Sequence, residues 1–226
     1  MQDTPIIQAQ NLYYDIASHD NHIRILQGLN LTINTGEQVA IIGSSGSGKS
    51  TLLSLLAGLD VPTSGQILVE MKPFSSLDED GRAMVRARNM SFVFQSFQLL
   101  PALTALENVM LPLQLTQQAD AQEKSLQALN QVGLSHRILH YPKQLSGGEQ
   151  QRVAIARAFA TKPRILFADE PTGNLDNTTG KIIVELLFKM NADSNTTLVL
   201  VTHDMQLAGR CKRQLQLNDG VLTDIV

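Results

Sequence analysis

A lysine and a serine close the stretch Gly43-Ser44-Ser45-Gly46-Ser47-Gly48-Lys49-Ser50, an unbroken match to G-x-x-x-x-G-K-[ST]. Glycines let the backbone take turns that a Cβ forbids, so successive N–H groups can point inward at phosphate oxygens. Lys49 is then placed to reach the outer phosphates. Ser50 can offer its hydroxyl to Mg²⁺, with Thr51 next to it at the head of a helix. The loop works only between a strand and a helix. The apolar run Val39-Ala40-Ile41-Ile42 stands before it and Leu52-Leu53-Ser54-Leu55-Leu56 after it, so the helix also presents its positive end to the anion. Ordinary residue frequencies put an accidental match in such a chain on the order of one per cent. The stretch is therefore read as a nucleoside triphosphate site.

Three further clusters could do chemistry on that ligand. The run Ile165-Leu166-Phe167-Ala168 ends in Asp169-Glu170, which fixes two carboxylates at the C-terminal edge of a buried strand, the edge where ligands bind in a parallel sheet. Asp169 there holds Mg²⁺ through water and Glu170 polarises an attacking water. By itself, an apolar run ending in an acid is most often a strand meeting a loop. The second cluster, Leu145-Ser146-Gly147-Gly148-Glu149-Gln150, opens a helix with a serine and two glycines. That makes a second anion-binding helix end, although an isolated Ser-Gly-Gly is usually an ordinary cap. The third is Thr202-His203-Asp204, where a lone histidine after a strand reads first as a loop residue.

Composition bounds what surrounds these groups. At 226 residues the chain holds one large α/β domain or a core with one subdomain. A formal charge of -3, from 18 basic and 21 acidic side chains, leaves no electrostatic footprint for nucleic acid. The one cysteine, Cys211, excludes an internal disulfide and suits a reducing compartment. The beginning, MQDTPIIQAQ, predicts no signal peptide. No stretch approaches the ~18 uninterrupted apolar residues of a spanning helix, so the expectation is a soluble, cytosolic chain that borrows any membrane role from a partner.

Short strands are expected around Ile7–Tyr13 and Leu29–Ile33, with a hairpin loop over 18–21, giving an antiparallel β layer ahead of the glycine loop. A strand over 66–69, a charged helix over 77–88 and a buried strand over 90–94 follow, ending at Gln95. Strand signals then vanish. Thr104 with Glu107 three residues on opens a helix that Pro112 should bend. A second helix over 119–132 stops at Gly133. After the 165–168 strand the pattern predicts a helix over 178–191, a strand over 197–201, a short helix over 204–209 and a strand over 214–217.

The motifs GSSGSGKS, Gln95, LSGGEQ, ILFADE, the Asn174-Leu175-Asp176 segment and His203 stand in the order of the ATP-binding cassette (ABC) ATPases, which the chain resembles over essentially its whole length. The wording FQSFQLLPALTALENVMLPL, FADEPTGNLD and VTHDMQLA is similar to the branch serving lipoprotein release and macrolide export. The resemblance implies an α/β P-loop NTPase, RecA-like core over 1–95 and 158–226, with an antiparallel β layer and an inserted α-helical subdomain over 96–157 that docks a membrane subunit. It implies ATP and Mg²⁺, and two ATP held between head-to-tail subunits, with Gly43 to Thr51 of one facing Ser146, Gly147, Gly148 and Glu149 of the other. Gln95 then matches a glutamine that touches Mg²⁺, His203 a histidine at the γ-phosphate, and Asp176 an aspartate across the dimer. One position departs: where the family commonly has an aromatic that stacks on adenine, this chain has Ile16, with Tyr13 and Tyr14 out of register.

The expectation is the ATPase subunit of an ABC transporter, a homodimer when ATP-bound. It sits peripherally on the cytoplasmic face of the inner membrane against a permease-like integral membrane subunit, without touching cargo or nucleic acid. Two alternatives leave residues idle or missing. A non-transport ABC ATPase of DNA repair or translation calls for a coiled-coil insertion or a second cassette. A small-molecule kinase gives LSGGEQ and His203 no task.

Overall fold

The computed structural model describes residues 4–18 and 21–225. The tip of the expected 18–21 hairpin loop and the first three residues lie outside the described residues. In chain order the first elements are β1 (Pro5–Ser18), β2 (Asn21–Asn34), β3 (Gln38–Ile42), α1 (Lys49–Leu56), β4 (Ser64–Val69), β5 (Lys72–Pro73), α2 (Glu79–Asn89) and β6 (Met90–Phe94). Then come α3 (Ala105–Leu115), α4 (Ala121–Gln131), α5 (Gly147–Ala160), β7 (Ile165–Asp169), α6 (Asn177–Ser194), β8 (Thr197–Thr202), α7 (Met205–Ala208), β9 (Arg213–Asn218) and β10 (Val221–Asp224). They form two compact units, Met1–Arg86 with Thr197–Val226, and Ala87–Thr196.

In the first unit β3 pairs in parallel with both β8 and β9, and β10 adds an antiparallel edge to β9. A strand flanked on both sides and covered on both faces has to be apolar throughout. Val39, Ala40 and Ile41 accordingly have no exposed surface, nor do Leu198 to Val201. Helix α1 buries Leu52, Leu53, Leu55 and Leu56, each contributing about 1.5–3 kcal/mol of transfer free energy before entropy is counted. The antiparallel layer has the order β2-β1-β4-β5. Strands β1 and β2 run 14 residues each, longer than the alternation suggests, because register shifts break the period of two at Ala9/Leu12, Leu12/Tyr14 and Tyr14/Asp15. At the last of these Tyr14 pairs with Leu26 and Asp15 with Arg24, leaving Ile25 as an extra residue. This bulge turns the side chain off the strand's alternation.

In the second unit β6 and β7 pair in parallel, and Phe92 stacks on Phe94 and on Phe167 with ring centroids 5.5 Å apart. The helices α3, α4 and α5 pack on one another. Thr104 caps α3 as expected, its hydroxyl accepting from Glu107 N while its own N–H donates to Glu107 Oε2 at 2.7 Å. The helix runs on past Pro112 to Leu115. Gly133, at φ +72°, ends α4 in the left-handed conformation that a Cβ disfavours. Within α5, Val153 to Ala156 are fully buried.

Candidate nucleotide site

The glycine loop leaves β3 at a level set by the pairing of Ile42 with Thr202. Gly43 and His203 therefore emerge from neighbouring strands at the C-terminal edge of one parallel sheet, where ligands bind in such sheets. The loop is built too tightly for side chains. A Cβ on Gly43 would come 2.5 Å from Leu217 O and 2.6 Å from Ser47 Oγ. Gly48, the N-cap of α1, has φ 96°, and a Cβ there would meet Cγ2 of the bulge residue Ile25 at 2.9 Å. Gly46, at φ +80°, faces open space. No side chain caps α1 and no acid stands in its first turn, so its leading N–H groups and positive end are left for an anion. Lys49 is only 8 % exposed, and its Nζ lies inside the loop, donating to Gly43 O at 2.9 Å and Ser44 O at 2.8 Å. Ser47 Oγ is buried with no hydrogen-bond partner. Buried cation, orphaned hydroxyl and uncapped helix start all fit a polyphosphate.

A cavity of about 710 Å³ opens beside the loop, lined by Ser44 to Ser47, by Ile23 to Ile25 and Gln27 of β2, and by the turn Asn218 to Gly220. Ile23 is the cross-strand partner of Ile16, and both are about half exposed, at 52 % and 45 %. The neighbouring tyrosines are engaged elsewhere. Tyr14 donates its hydroxyl to Asp60, which pushes its ionisation above the usual range. Tyr13 has the Arg24 guanidinium 5.4 Å over its ring.

In the second unit, the pairing of Phe94 with Asp169 sets Gln95 and Glu170 at the ends of adjacent parallel strands. Glu170 has φ +45°, a left-handed conformation that costs a residue with a Cβ roughly 1–2 kcal/mol. A turn from Gly173 N to Glu170 O at 3.0 Å holds it. Strained backbone clusters at working sites, but nine other non-glycine residues among those described share a positive φ, so the place of Glu170 at the strand end carries the argument.

Ser146 is the N-cap of α5, so that helix begins at Gly147. Ser146 Oγ accepts from Glu149 N at 3.3 Å and Ser146 N donates to Glu149 Oε2 at 2.8 Å. The S-x-x-E spacing was the signal for this capping box. The Ser146 N–H above all, then the Ser146 hydroxyl and after it the Arg137 guanidinium at 3.1 Å, hold the Glu149 carboxyl below its usual range despite partial burial. Asp176 caps α6, accepting from the N–H groups of Thr178 and Thr179 at 3.0 Å and from the Thr179 hydroxyl at 2.6 Å. The Thr179 hydroxyl and N–H keep it ionised below the usual range. Sequence reasoning gave no role of their own to three residues of this unit, although Asn174 stands in the Asn174-Leu175-Asp176 motif. Asn174 exchanges two hydrogen bonds with Gln95. Gln151, fully buried, donates to Pro171 O at 2.6 Å. Arg157 donates to Gln98 O at 2.6 Å and Phe97 O at 3.0 Å. None lies in a periodic pattern that would mark it.

Among the described residues no cluster of three or more His, Cys, Asp or Glu side chains could hold a metal ion. Mg²⁺ does not need one, since it is usually bound by one or two protein oxygens together with substrate phosphates. The hydroxyl of Ser50, the carboxylate of Asp169 and the amide oxygen of Gln95 are donors of that kind.

A buried strand, a glycine loop with its lysine folded inside, and an uncapped helix define a P-loop nucleotide-binding domain. A family model described as ABC transporter matches residues 26–173, well over half of the chain, and the chain belongs to that family. It is 49% identical over 221 residues to the ABC transporter ATP-binding protein YbbA of Escherichia coli (strain K12), covering 97% of each chain. It is 49% identical over 217 residues to the lipoprotein-releasing system ATP-binding protein LolD of Hydrogenovibrio crunogenus, covering 95% of this chain and 94% of the relative. Among solved structures, the dimeric ATP-binding cassette MJ0796 in a post-hydrolysis state bound to ADP and Pi superposes with a TM-score of 0.89. Its identity is 40%, over 97% of this chain and 99% of that one. The chain is thus the ATP-binding, ATP-hydrolysing subunit of an ABC transporter, with the ABC ATPase fold. Among the described residues no helix is long and apolar enough to cross a membrane.

Proposed function

We propose that this subunit closes a homodimer around ATP and thereby drives a separate, permease-like membrane subunit of lipoprotein-release or macrolide-export type from the cytoplasmic face of the inner membrane. The observation that carries this reading is that one chain holds two helix starts suited to phosphate, at 43–50 and 146–149, of which only the first has a lysine. The similarity to LolD and to dimeric cassettes supports it. Gly43 to Thr51 of one protomer face Ser146, Gly147 and Gly148 of its partner, with Glu149 bracing Ser146 from behind and Asp176 reaching across. The helices over 96–157 receive the membrane subunit. Neither cargo nor nucleic acid is touched.

Lys49 exchanges the carbonyls of Gly43 and Ser44 for phosphate oxygens. Ser50, Gln95 and Asp169 would hold Mg²⁺, which would supply positive charge to the phosphates. Glu170 orients a water and takes its proton as the water attacks the γ-phosphorus and ADP leaves. His203 hydrogen-bonds the γ-phosphate. Glu170→Gln keeps shape and hydrogen bonding while removing the base. We expect ATP to accumulate a dimer on size exclusion, with turnover at background; wild-type turnover in this variant would falsify the assignment.

A further inference from the structure

Gln95 can serve a cation with one atom only. Of its side-chain amide, the oxygen is an acceptor and the nitrogen carries two donors, and Mg²⁺ takes oxygen. Which of the two faces the ligand is settled by Asn174, in a chain of three constraints. The backbone carbonyl of Gln95 can only accept, so the Asn174 atom facing it at 3.0 Å is the amide nitrogen. Oδ1 of Asn174 is then turned to the Gln95 side chain, and an oxygen there demands a donor, so Nε2 of Gln95 fills that place, also at 3.0 Å. Oε1 is the atom left over. The preceding residue is shaped to the same end: a Cβ on Gly173 would stand 2.7 Å from Nε2 and 2.9 Å from Cδ of Gln95. Only a glycine lets the amide lie against this loop.

We infer that Asn174 is a positioning residue that reads the polarity of the Gln95 backbone carbonyl and passes it to the Gln95 side chain, so that Oε1 is presented to the nucleotide-bound metal. This rests on the reading of Gln95 as a metal ligand. Groups that orient a metal ligand typically change metal affinity about 10- to 100-fold when removed.

The test is Mn²⁺ affinity, followed by electron paramagnetic resonance, in complexes of the full chain with a non-hydrolysable ATP analogue. Thermal melts establish that each variant is folded. Asn174→Ala should weaken Mn²⁺ binding about tenfold, and Gly173→Ala, which displaces the same amide by a different route, should act in the same direction. A glutamate at 95 presents an oxygen whichever way it turns. On a Gln95→Glu background, Asn174→Ala should therefore change Mn²⁺ affinity less than about twofold, the non-additivity expected of directly coupled groups. Unchanged affinity in Asn174→Ala, while Gln95→Ala weakens binding, overturns the inference and leaves the metal role of Gln95 standing. No effect of Gln95→Ala removes both. An equal loss from Asn174→Ala on either background makes Asn174 a loop-building residue and overturns the inference as well.

Discussion

The base end of the nucleotide invites the most discriminating perturbation. Ile16 and its cross-strand partner Ile23 are 45 % and 52 % exposed, beside the cavity that opens next to Ser44 to Ser47. Fully burying an isoleucine contributes about 1.5–3 kcal/mol. Roughly half of Ile16 remains to be covered, so a purine laid on it recovers about 0.7–1.5 kcal/mol. Ile16→Ala should therefore weaken nucleotide binding about 3- to 13-fold. The loss should be the same for ATP and GTP, because an aliphatic face does not distinguish purine edges. Of the polar groups along β2 at this cavity, Gln27 Nε2 already donates to Asp219 O at 2.8 Å and Arg24 pairs with Asp15 at 2.9 Å. The two nucleotides should bind within tenfold of each other, a gap under about 1.4 kcal/mol. Ile16→Tyr should tighten ATP binding, since base stacking on a ring contributes roughly 1–3 kcal/mol. Isothermal titration of wild type, Ile16→Ala, Ile16→Tyr, Tyr13→Ala and Tyr14→Ala with both nucleotides decides it. A tenfold loss of ATP affinity in either tyrosine variant, with no change in Ile16→Tyr, would show that a tyrosine carries the base and refute the argument.

Two further outcomes follow from the second unit. If Ser146 serves its partner's nucleotide, mixing Ser146→Arg with Lys49→Ala subunits should restore ATP-dependent dimerisation that neither shows alone; folded variants that stay monomeric when mixed count against the head-to-tail arrangement. The Glu149 carboxyl is held below its usual range by Ser146 and Arg137, so its contribution is complete above the unfolded pKa of about 4.3 and fades as pH falls through the lower folded value. Glu149→Gln should cost up to about 1 kcal/mol at pH 7, as a partly exposed pair allows. It should also flatten the acid-side fall in urea-unfolding free energy, and an unaltered fall would place that pH dependence elsewhere.

How much of this was legible in the sequence depended on whether the signal was local. β6 and the α1 stretch are apolar runs closed by their own breakers, and they stand where the pattern placed them. The β1–β2 hairpin was read too short because its bulges interrupt alternation, and the bulge residue Ile25 lies against Gly48, 23 positions away. β10, the four residues that directly follow the Asn218-Asp219-Gly220 turn, has only two apolar residues and is a strand because β9 offers it an edge. Asn174 acts on a residue 79 positions away, and no periodicity marks a contact of that kind.

The glycine pair heading α5 shows how structure separates what sequence merges. Glycine in a helix costs about 1 kcal/mol relative to alanine, so each of the two needs a reason. For Gly148 the reason is packing: a Cβ there would stand 2.5 Å from Cγ2 of Thr179, a β-branched side chain on α6, whose χ1 has little freedom to give. Gly147 has no such reason. A Cβ there would meet Leu175 Cδ2 at 3.4 Å and Phe97 Cζ at 3.6 Å, both ordinary contacts. Folding alone would accept an alanine at 147, and the capping box already satisfies the N–H groups of Ser146 and Glu149 on either side. What remains at Gly147 is an uncluttered backbone at the positive end of a 14-residue helix, and that is what the proposed contact with a partner's nucleotide requires.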